Sequence, residues 1–347
     1  MAERLLVVRF GSLGDVVLTF GAGEALARAR PNAQLIYLVK AEYADLVAAQ
    51  PWVSEVRALK DEHRGFWKGR AFRKQLRQEG WTAVLDLQDN PRSRWFVRGL
   101  AKLHAKWDAR RGQRSAWVWK RSWRWLGLRE EPLRPEWLRF RDAAKEIGAA
   151  EALPPKVVFP KDAGYRADEY FALWSEASQG PVIAVAPAAA WATKEWPEER
   201  TIELGKRLAA TGWRTMLVCR AEERARLKEI SAWAAGEPAA RWMNADLLTI
   251  AAALARSRAF VGPDSGLMHL AAAVGTPVGA LFGSTVPELG FAPAGAGHKI
   301  FQVDLSCRPC HVHGRVRCPL GHHRCMKDID AEPVYEAAVA LATQRVG

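Results

Sequence analysis

Residues 261–276, VGPDSGLMHLAAAVGT, restrict this chain more than any other stretch. Ala259-Phe260-Val261 ends a strand of apolar residues, Gly262-Pro263 makes a tight turn, and a helix opens at Asp264 or Ser265. Asp and Ser are preferred where the first N–H groups of a helix need an acceptor, and Gly266 lets another group approach the backbone. Leu267, Leu270, Ala271 and Val274 recur at helical spacing, which buries one face of that helix. A helix N-terminus at a strand end presents free N–H groups and a positive dipole end, so it suits a phosphate, although any buried α/β crossover makes a similar turn.

The rest of the chain repeats this strand–turn–helix plan. Residues 4–9 (RLLVVR) form an apolar run of strand length, followed by Gly11-Ser12-Leu13-Gly14 and a helix starting near Asp15. The loop is not GxGxxG, so a dinucleotide fingerprint is absent. Further short apolar runs stand at 35–39, 53–59, 83–87, 182–186, 215–219, 258–261 and 278–282. Helical stretches are expected at 41–49, 66–79, 134–147, 198–210, 221–235, 247–256 and 332–344. Strands alternating with helices predict parallel sheets covered on both faces. Pro154, Pro155 and Pro160 interrupt any periodic element within 148–162 and mark a boundary. The expected domains are 1–152 and 153–330, both doubly wound and Rossmann-like, with strand ends facing across a cleft, followed by a helical segment 331–347.

With 347 residues the chain has room for two such domains. Its N-terminus carries an acid and an apolar run broken by Arg9, unlike a signal peptide, and nothing approaches the roughly 20 apolar residues that span a bilayer. A cytoplasmic protein is expected. Between Arg92 and Trp125 eleven Lys/Arg face one acid, Asp108, and the same window holds six Trp. Basic residues interleaved with Trp suit a phosphate-rich partner, either an anionic membrane surface or a nucleic acid; the alternative is a solvated basic face with Trp packed inward. No nucleic-acid motif accompanies the charge, so nucleic acid is not expected and an anionic membrane or glycolipid surface is.

Four segments carry a resemblance. Asp264–Pro277, continuing into Val278–Gly283, resembles the nucleotide-sugar signature of the ADP-heptose glycosyltransferases, family 9. Leu5–Leu26 resembles that family's opening strand, S-L-G-D-V loop and first helix. Thr193-Lys194-Glu195-Trp196-Pro197 is similar to its T-K-x-W-P segment, and Cys307–Met326 looks most like the heptosyltransferase II branch. Four matches in order, from residue 5 to residue 326, make a specific signal. The resemblance implies a GT-B fold, with the last helix packing back on the first domain. It also implies inverting, metal-independent transfer of heptose from ADP-heptose to the inner core of lipopolysaccharide, at the cytoplasmic face of the inner membrane and without a cofactor.

Glycosyl transfer needs a base for the acceptor hydroxyl and positive charge for the departing diphosphate. Asp15, at the tip of the first strand–turn–helix unit, is placed for the first task, although it also suits a plain helix cap; the family's S-L-G-D-V aspartate has the catalytic role. Lys194, otherwise an ordinary surface lysine, matches the family's phosphate-binding lysine. On the donor side, Ser12 and Gly14 bring backbone close, Ser265 and Gly266 present N–H groups, and Asp264 accepts from sugar hydroxyls. His269 lies on the same helix and points back toward its N-terminus, where it reaches a phosphate or packs as a core histidine. Glu222 or Glu223, with Glu223 ahead, stands where a carboxylate accepts ribose hydroxyls, although Cys219-Arg220-Ala221 replaces the family's glycines. Ala188-Ala189-Ala190 likewise stands where relatives carry Gly or hydroxyl residues, leaving only backbone for the phosphates. Asp86-Leu87-Gln88-Asp89 with Arg92 and Arg94 resembles the acceptor segment, where arginines clamp anions bidentately.

The cysteines at 307, 310, 318 and 325 are spaced C-x2-C-x7-C-x6-C, with four histidines between them. Zn²⁺ takes four Cys or His ligands, but the last two spacings are not the paired knuckle of a zinc ribbon. A structural zinc and a metal-free loop or disulfide both remain open on spacing; the family implies no assigned metal, and none is expected.

Overall fold

The computed structural model describes residues 2–64, 66–106, 134–174 and 180–344. They fall into two compact units, one drawn from Met1–Ser115 with Arg134–Phe159, the other running on from Pro160. The division lies inside the proline-containing stretch 148–162, at Phe159–Pro160 rather than at the expected 152/153.

In the first unit, strands β1 (Arg4–Val8), β2 (Gln34–Lys40), β3 (Glu55–Leu59), β4 (Ala83–Asp86) and β5 (Leu103–Lys106) form one sheet in the order β3-β2-β1-β4-β5. All four pairings are parallel. The apolar runs of β1, β2 and β4 are buried on both faces, as the centre of a sheet covered by helices on two sides demands, while the edge strands β3 and β5 stay partly exposed. Leu6, Val8, Ile36, Leu38 and Val84 pack with Phe72, Leu76, Trp81, Phe96 and Val97 on one side. Leu5, Val7, Leu35, Tyr37 and Leu85 are buried on the other, where Phe20 meets Tyr37 edge to face at 6.5 Å. Fully burying one such side chain contributes about 1.5–3 kcal/mol. Strand order reverses between β1 and β4, so a crevice opens beyond their carboxyl ends.

The second unit repeats the plan with β6 (Val182–Val185), β7 (Arg214–Val218), β8 (Ala240–Met243), β9 (Ala259–Pro263), β10 (Val278–Phe282) and β11 (Lys299–Gln302). Their order is β11-β10-β9-β6-β7-β8, all parallel, and the reversal falls between β6 and β9. Gly262 lets these two central strands close up, since a Cβ there would lie 2.9 Å from the Ala186 Cβ.

Several elements differ from expectation. The closing helix, Ala331–Gln344, was expected on the first domain. Its apolar face instead joins the second unit's core: Val334, Ala338, Leu341 and Ala342 pack with Ile183, Val185, Val261, Leu281 and with Leu204 and Leu208 of the helix Glu198–Ala210. The expected helix 221–235 is broken into Ala221–Arg224 and Lys228–Gly236, and a helix at Lys161–Ala172 follows the Pro-containing stretch directly. Of the basic Trp segment, residues 92–97 lie in the helix Pro91–Val97 and residues 103–106 in β5, with a turn between them; residues 107–125 lie outside the described residues. Among the described residues no helix is long and apolar enough to cross a membrane.

Candidate active site

Each unit gathers its chemistry where its strand order reverses. In the first, Asp15 stands in the first turn of the helix Leu13–Leu18, which follows β1. Its Oδ2 accepts from the Ser12 N–H and the Ser12 hydroxyl, both at 3.1 Å, and pairs with Arg9 Nη2 at 2.7 Å. Among the described residues no donor is bonded to Oδ1, and the side chain keeps 22% of its exposure. Burial pushes the carboxyl up, but the Arg9 charge and hydrogen bond and the Ser12 donors carry it below the usual carboxylate range. Asp15 is thus helix cap and ion-pair partner through one oxygen, with the other open.

Arg9 is itself buried. Its Nη1 donates to the Leu87 carbonyl at 2.5 Å, and its guanidinium lies 5.3 Å from the centre of the Phe140 ring. One turn before Phe140 on the helix Glu136–Lys145 is Glu136, whose side chain is wholly buried and accepts from Arg139 Nη1 at 2.7 Å. Burial pushes its carboxyl up to about 7; Arg139 opposes this and the Asp15 charge adds to it. Neither Arg9 nor Glu136 was singled out from sequence. A charged residue closing an apolar strand run is the available signal for Arg9; Glu136, 121 positions from Asp15, has none.

Across from β1, the end of β4 is organised by Asp86. It takes the N–H groups of Gln88 and Asp89 at 3.0 Å and the Ser93 hydroxyl at 2.8 Å. Asn90 caps the following helix through Ser93 N–H at 2.8 Å. Gln88 is brought beside the Asp15 turn, its Oε1 accepting from Phe10 N–H at 3.0 Å. Arg92 lies over the rings of Phe10 and Phe96, at 5.6 and 5.9 Å. Arg94 has a partner within the fold: Nε and Nη2 grip the two oxygens of buried Asp89 at 2.6 and 2.9 Å. The Nη1 end of the guanidinium, on a side chain 37% exposed, takes no part in that grip.

In the second unit, Lys194 ends the short turn Ala192–Lys194 after β6. Its Nζ meets Asp264 Oδ2 at 2.6 Å and the Asp264 carbonyl at 3.2 Å. The Thr285 hydroxyl donates to the same Oδ2 at 2.8 Å. Burial raises the Asp264 carboxyl, but Lys194, His269 and Thr285 together hold it below the usual range. Ser265 is the N-cap of the helix Gly266–Ala273 in geometry, yet its hydroxyl makes no cap bond, and buried His269 sits one turn in. Lys194, Asp264, Ser265, Gly266 and His269 are therefore brought together. Ser12 and Gly14 share the Asp15 turn, with both Ser12 donors already on Asp15. Glu223 Oε2 accepts from Arg220 N–H at 3.0 Å, so one of its oxygens caps a helix turn. The alanine loop is braced by Glu195, which accepts from Ala189 N–H at 3.1 Å and pairs with Arg226.

The cysteines at 219, 307, 310, 318 and 325 are all free thiols. Cys307 Sγ and His322 Nε2 stand 3.9 Å apart, and among the described residues no group of three or more His, Cys, Asp or Glu is arranged to hold a metal ion.

The family model for glycosyltransferase family 9 (heptosyltransferase) matches residues 69–319. Lipopolysaccharide heptosyltransferase 1 of Pseudomonas aeruginosa is 30% identical, over 88% of this chain and 86% of its own length. Lipopolysaccharide heptosyltransferase 2 of Salmonella typhimurium is 24% identical, over 99% of this chain and 96% of its own. The solved structure of E. coli ADP-heptose lipopolysaccharide heptosyltransferase II superposes with a TM-score of 0.76 at 21% identity, covering 99% of this chain and 100% of that one. The two doubly wound units are those of a GT-B glycosyltransferase. The chain belongs to glycosyltransferase family 9, the heptosyltransferases.

Proposed function

We propose that this enzyme moves heptose from ADP-heptose to the inner core of lipopolysaccharide, with inversion at the anomeric carbon. The reading is carried by Asp15, a carboxylate at the switch point of the first sheet with three donors on Oδ2 and Oδ1 open. In this reading Oδ1 takes the proton of the acceptor hydroxyl as that oxygen attacks the anomeric carbon. The bond from carbon to the diphosphate oxygen breaks, and its electron pair leaves with ADP. Lys194 and the N–H groups of Ser265 and Gly266 receive the charge that develops on the leaving diphosphate. Asp264 keeps Oδ2 on Lys194 and Thr285 and offers Oδ1 to donor-sugar hydroxyls, and Glu223 offers the ribose the oxygen not used in capping. Gln88 and Arg92 line the acceptor side; Arg94 acts there by fixing Asp89 rather than by gripping substrate.

The lipopolysaccharide heptosyltransferases that match most of this chain support the choice of donor and acceptor. The excess of Lys/Arg and Trp in residues 92–125 supports peripheral attachment at the inner face of the inner membrane, where an anionic glycolipid acceptor is presented. Release of ADP from ADP-heptose, followed with and without heptose-deficient inner-core lipopolysaccharide, tests the reading. Acceptor-dependent ADP release is expected. Release at the same rate without acceptor, or none with any inner-core acceptor, would overturn it.

A further inference from the structure

The cysteine-rich segment, prominent in the sequence, has no part in the reaction described so far. In the fold it clasps two loops of the donor site. The Thr193 N–H donates to the Arg315 carbonyl at 3.1 Å, the Arg315 N–H returns to the Thr193 hydroxyl oxygen at 2.8 Å, and His323 Nε2 lies 3.2 Å from the Thr193 carbonyl. The residue so held is the one before Lys194. On the other loop, the Cys310 N–H donates to the Ser284 carbonyl at 3.0 Å, and the Ser284 hydroxyl accepts from Thr193 Oγ1 at 2.9 Å. Gly283 permits this closeness, since a Cβ there would stand 3.0 Å from the Thr193 carbonyl oxygen.

The centre of the clasp is Arg308, only 4% exposed. Its Nη2 donates to the carbonyls of Phe282 and Thr285, both at 2.8 Å, and to Gln302 Oε1 at 3.2 Å. Its Nε donates to the Gly283 carbonyl and its Nη1 to that of Val303. Taking a guanidinium out of water is expensive unless its donors are satisfied, and here they are satisfied by carbonyls just beyond the strand ends of β10 and β11. Thr285, held at its carbonyl, donates its hydroxyl to Asp264 Oδ2, the same oxygen that holds Lys194. A lysine ammonium on four rotatable bonds is a poor phosphate ligand until something fixes it.

We propose that Arg308 is a positioning residue of the donor site: through Thr285 it fixes Asp264, and through Asp264 it fixes Lys194 to receive a nucleoside diphosphate. The proposal rests on the donor-site reading of Lys194 and Asp264. It gives the cysteine-rich segment a task in donor recognition, carried by its arginine and main chain rather than by its thiols.

The test is ADP binding by calorimetry to the full chain, in wild type, Arg308→Lys, Thr285→Val and the double variant, with far-UV circular dichroism and Tm as checks on folding. Each single variant is expected to weaken ADP about tenfold and raise the KM for ADP-heptose in step, with the acceptor KM unchanged. The double variant is expected to be no weaker than about twice the poorer single one, since both act along one chain of bonds. A lower Tm with wild-type ADP affinity in Arg308→Lys would make the residue merely structural and overturn the proposal, as would losses that multiply in the double variant. Should Arg308→Lys not fold, Thr285→Val carries the test, and wild-type affinity there overturns it equally. A wild type that binds neither ADP nor ADP-heptose would overturn the donor-site reading itself; binding by wild type with unchanged variants overturns this proposal alone.

Discussion

Replacing Lys194 by methionine isolates the Lys194–Asp264 ion pair. The methionine keeps most of the buried stem but removes the charge from Asp264, and the two side chains are only 12% and 7% exposed. Removing one partner of a buried pair typically costs about 3–5 kcal/mol. Here the Thr285 hydroxyl still donates to the carboxylate and His269 still favours its charged form, which places the expected loss near the low end, about 3 kcal/mol at pH 7. The sign of its pH dependence follows from Asp264. In wild type its carboxyl is depressed, so its stabilisation is present above the unfolded pKa and disappears as pH falls through the folded one. In Lys194→Met the lysine's charge and hydrogen bond are gone, so burial outweighs what Thr285 and His269 still supply and the carboxyl rises; the variant is then stabilised at low pH and weakens as pH rises through the raised value. The gap between the two proteins should therefore be wider at pH 7 than at pH 5. Urea denaturation at both values measures it, and turnover should fall about 10²–10³-fold from the loss of charge at the leaving group. A gap under about 1 kcal/mol that ignores pH is the behaviour of an exposed pair and would refute the reasoning.

Three further outcomes follow from the geometry. Glu136→Gln removes a buried acid whose folded pKa, about 7, lies above its unfolded value; the acid's stabilisation is complete below the unfolded pKa and lost as pH rises through about 7. The variant should gain on wild type by up to ~3 kcal/mol between pH 5 and pH 8.5, read as a difference in denaturation midpoints, and a constant difference would contradict it. Arg94→Lys breaks a two-point grip on Asp89 and should lower stability by about 1–2 kcal/mol with the acceptor KM unchanged; a raised acceptor KM in a fully stable protein would return Arg94 to the acceptor. Leu341→Ala should cost about 2 kcal/mol, because the closing helix completes the second unit's core, and proteolysis should then release that helix early; an unchanged midpoint would remove it from that core.

Legibility in the sequence followed the range of the interaction. Asp15, Lys194 and Asp264 stand at strand ends beside turn residues, so strand–turn–helix order alone puts them at the crevices. Their pairing partners were less visible. Arg9 interrupts an apolar run, and Glu136, paired with Arg139, feels the charges of Arg9 and Asp15 only because its helix packs beside the first strand–turn–helix unit. Arg94 and Glu223 were read as ligand groups from their local pattern, yet local pattern cannot reveal that Asp89 and the Arg220 N–H already use them. The closing helix carries an apolar stripe, but the stripe itself does not say which sheet it meets; in the fold it packs on the second. The cysteine spacing drew the eye to thiols, whereas the residue with the most bonds in that segment is Arg308.

The central claim is that Asp15 is the base. Turnover of ADP-heptose with inner-core acceptor, compared between wild type and Asp15→Asn alongside ADP affinity, tests it most directly. The asparagine keeps the shape and one oxygen but cannot hold a proton, so turnover should fall by about 10²–10⁴-fold while ADP binds as before. Turnover within a few-fold of wild type, in a variant that binds ADP normally, would contradict the account.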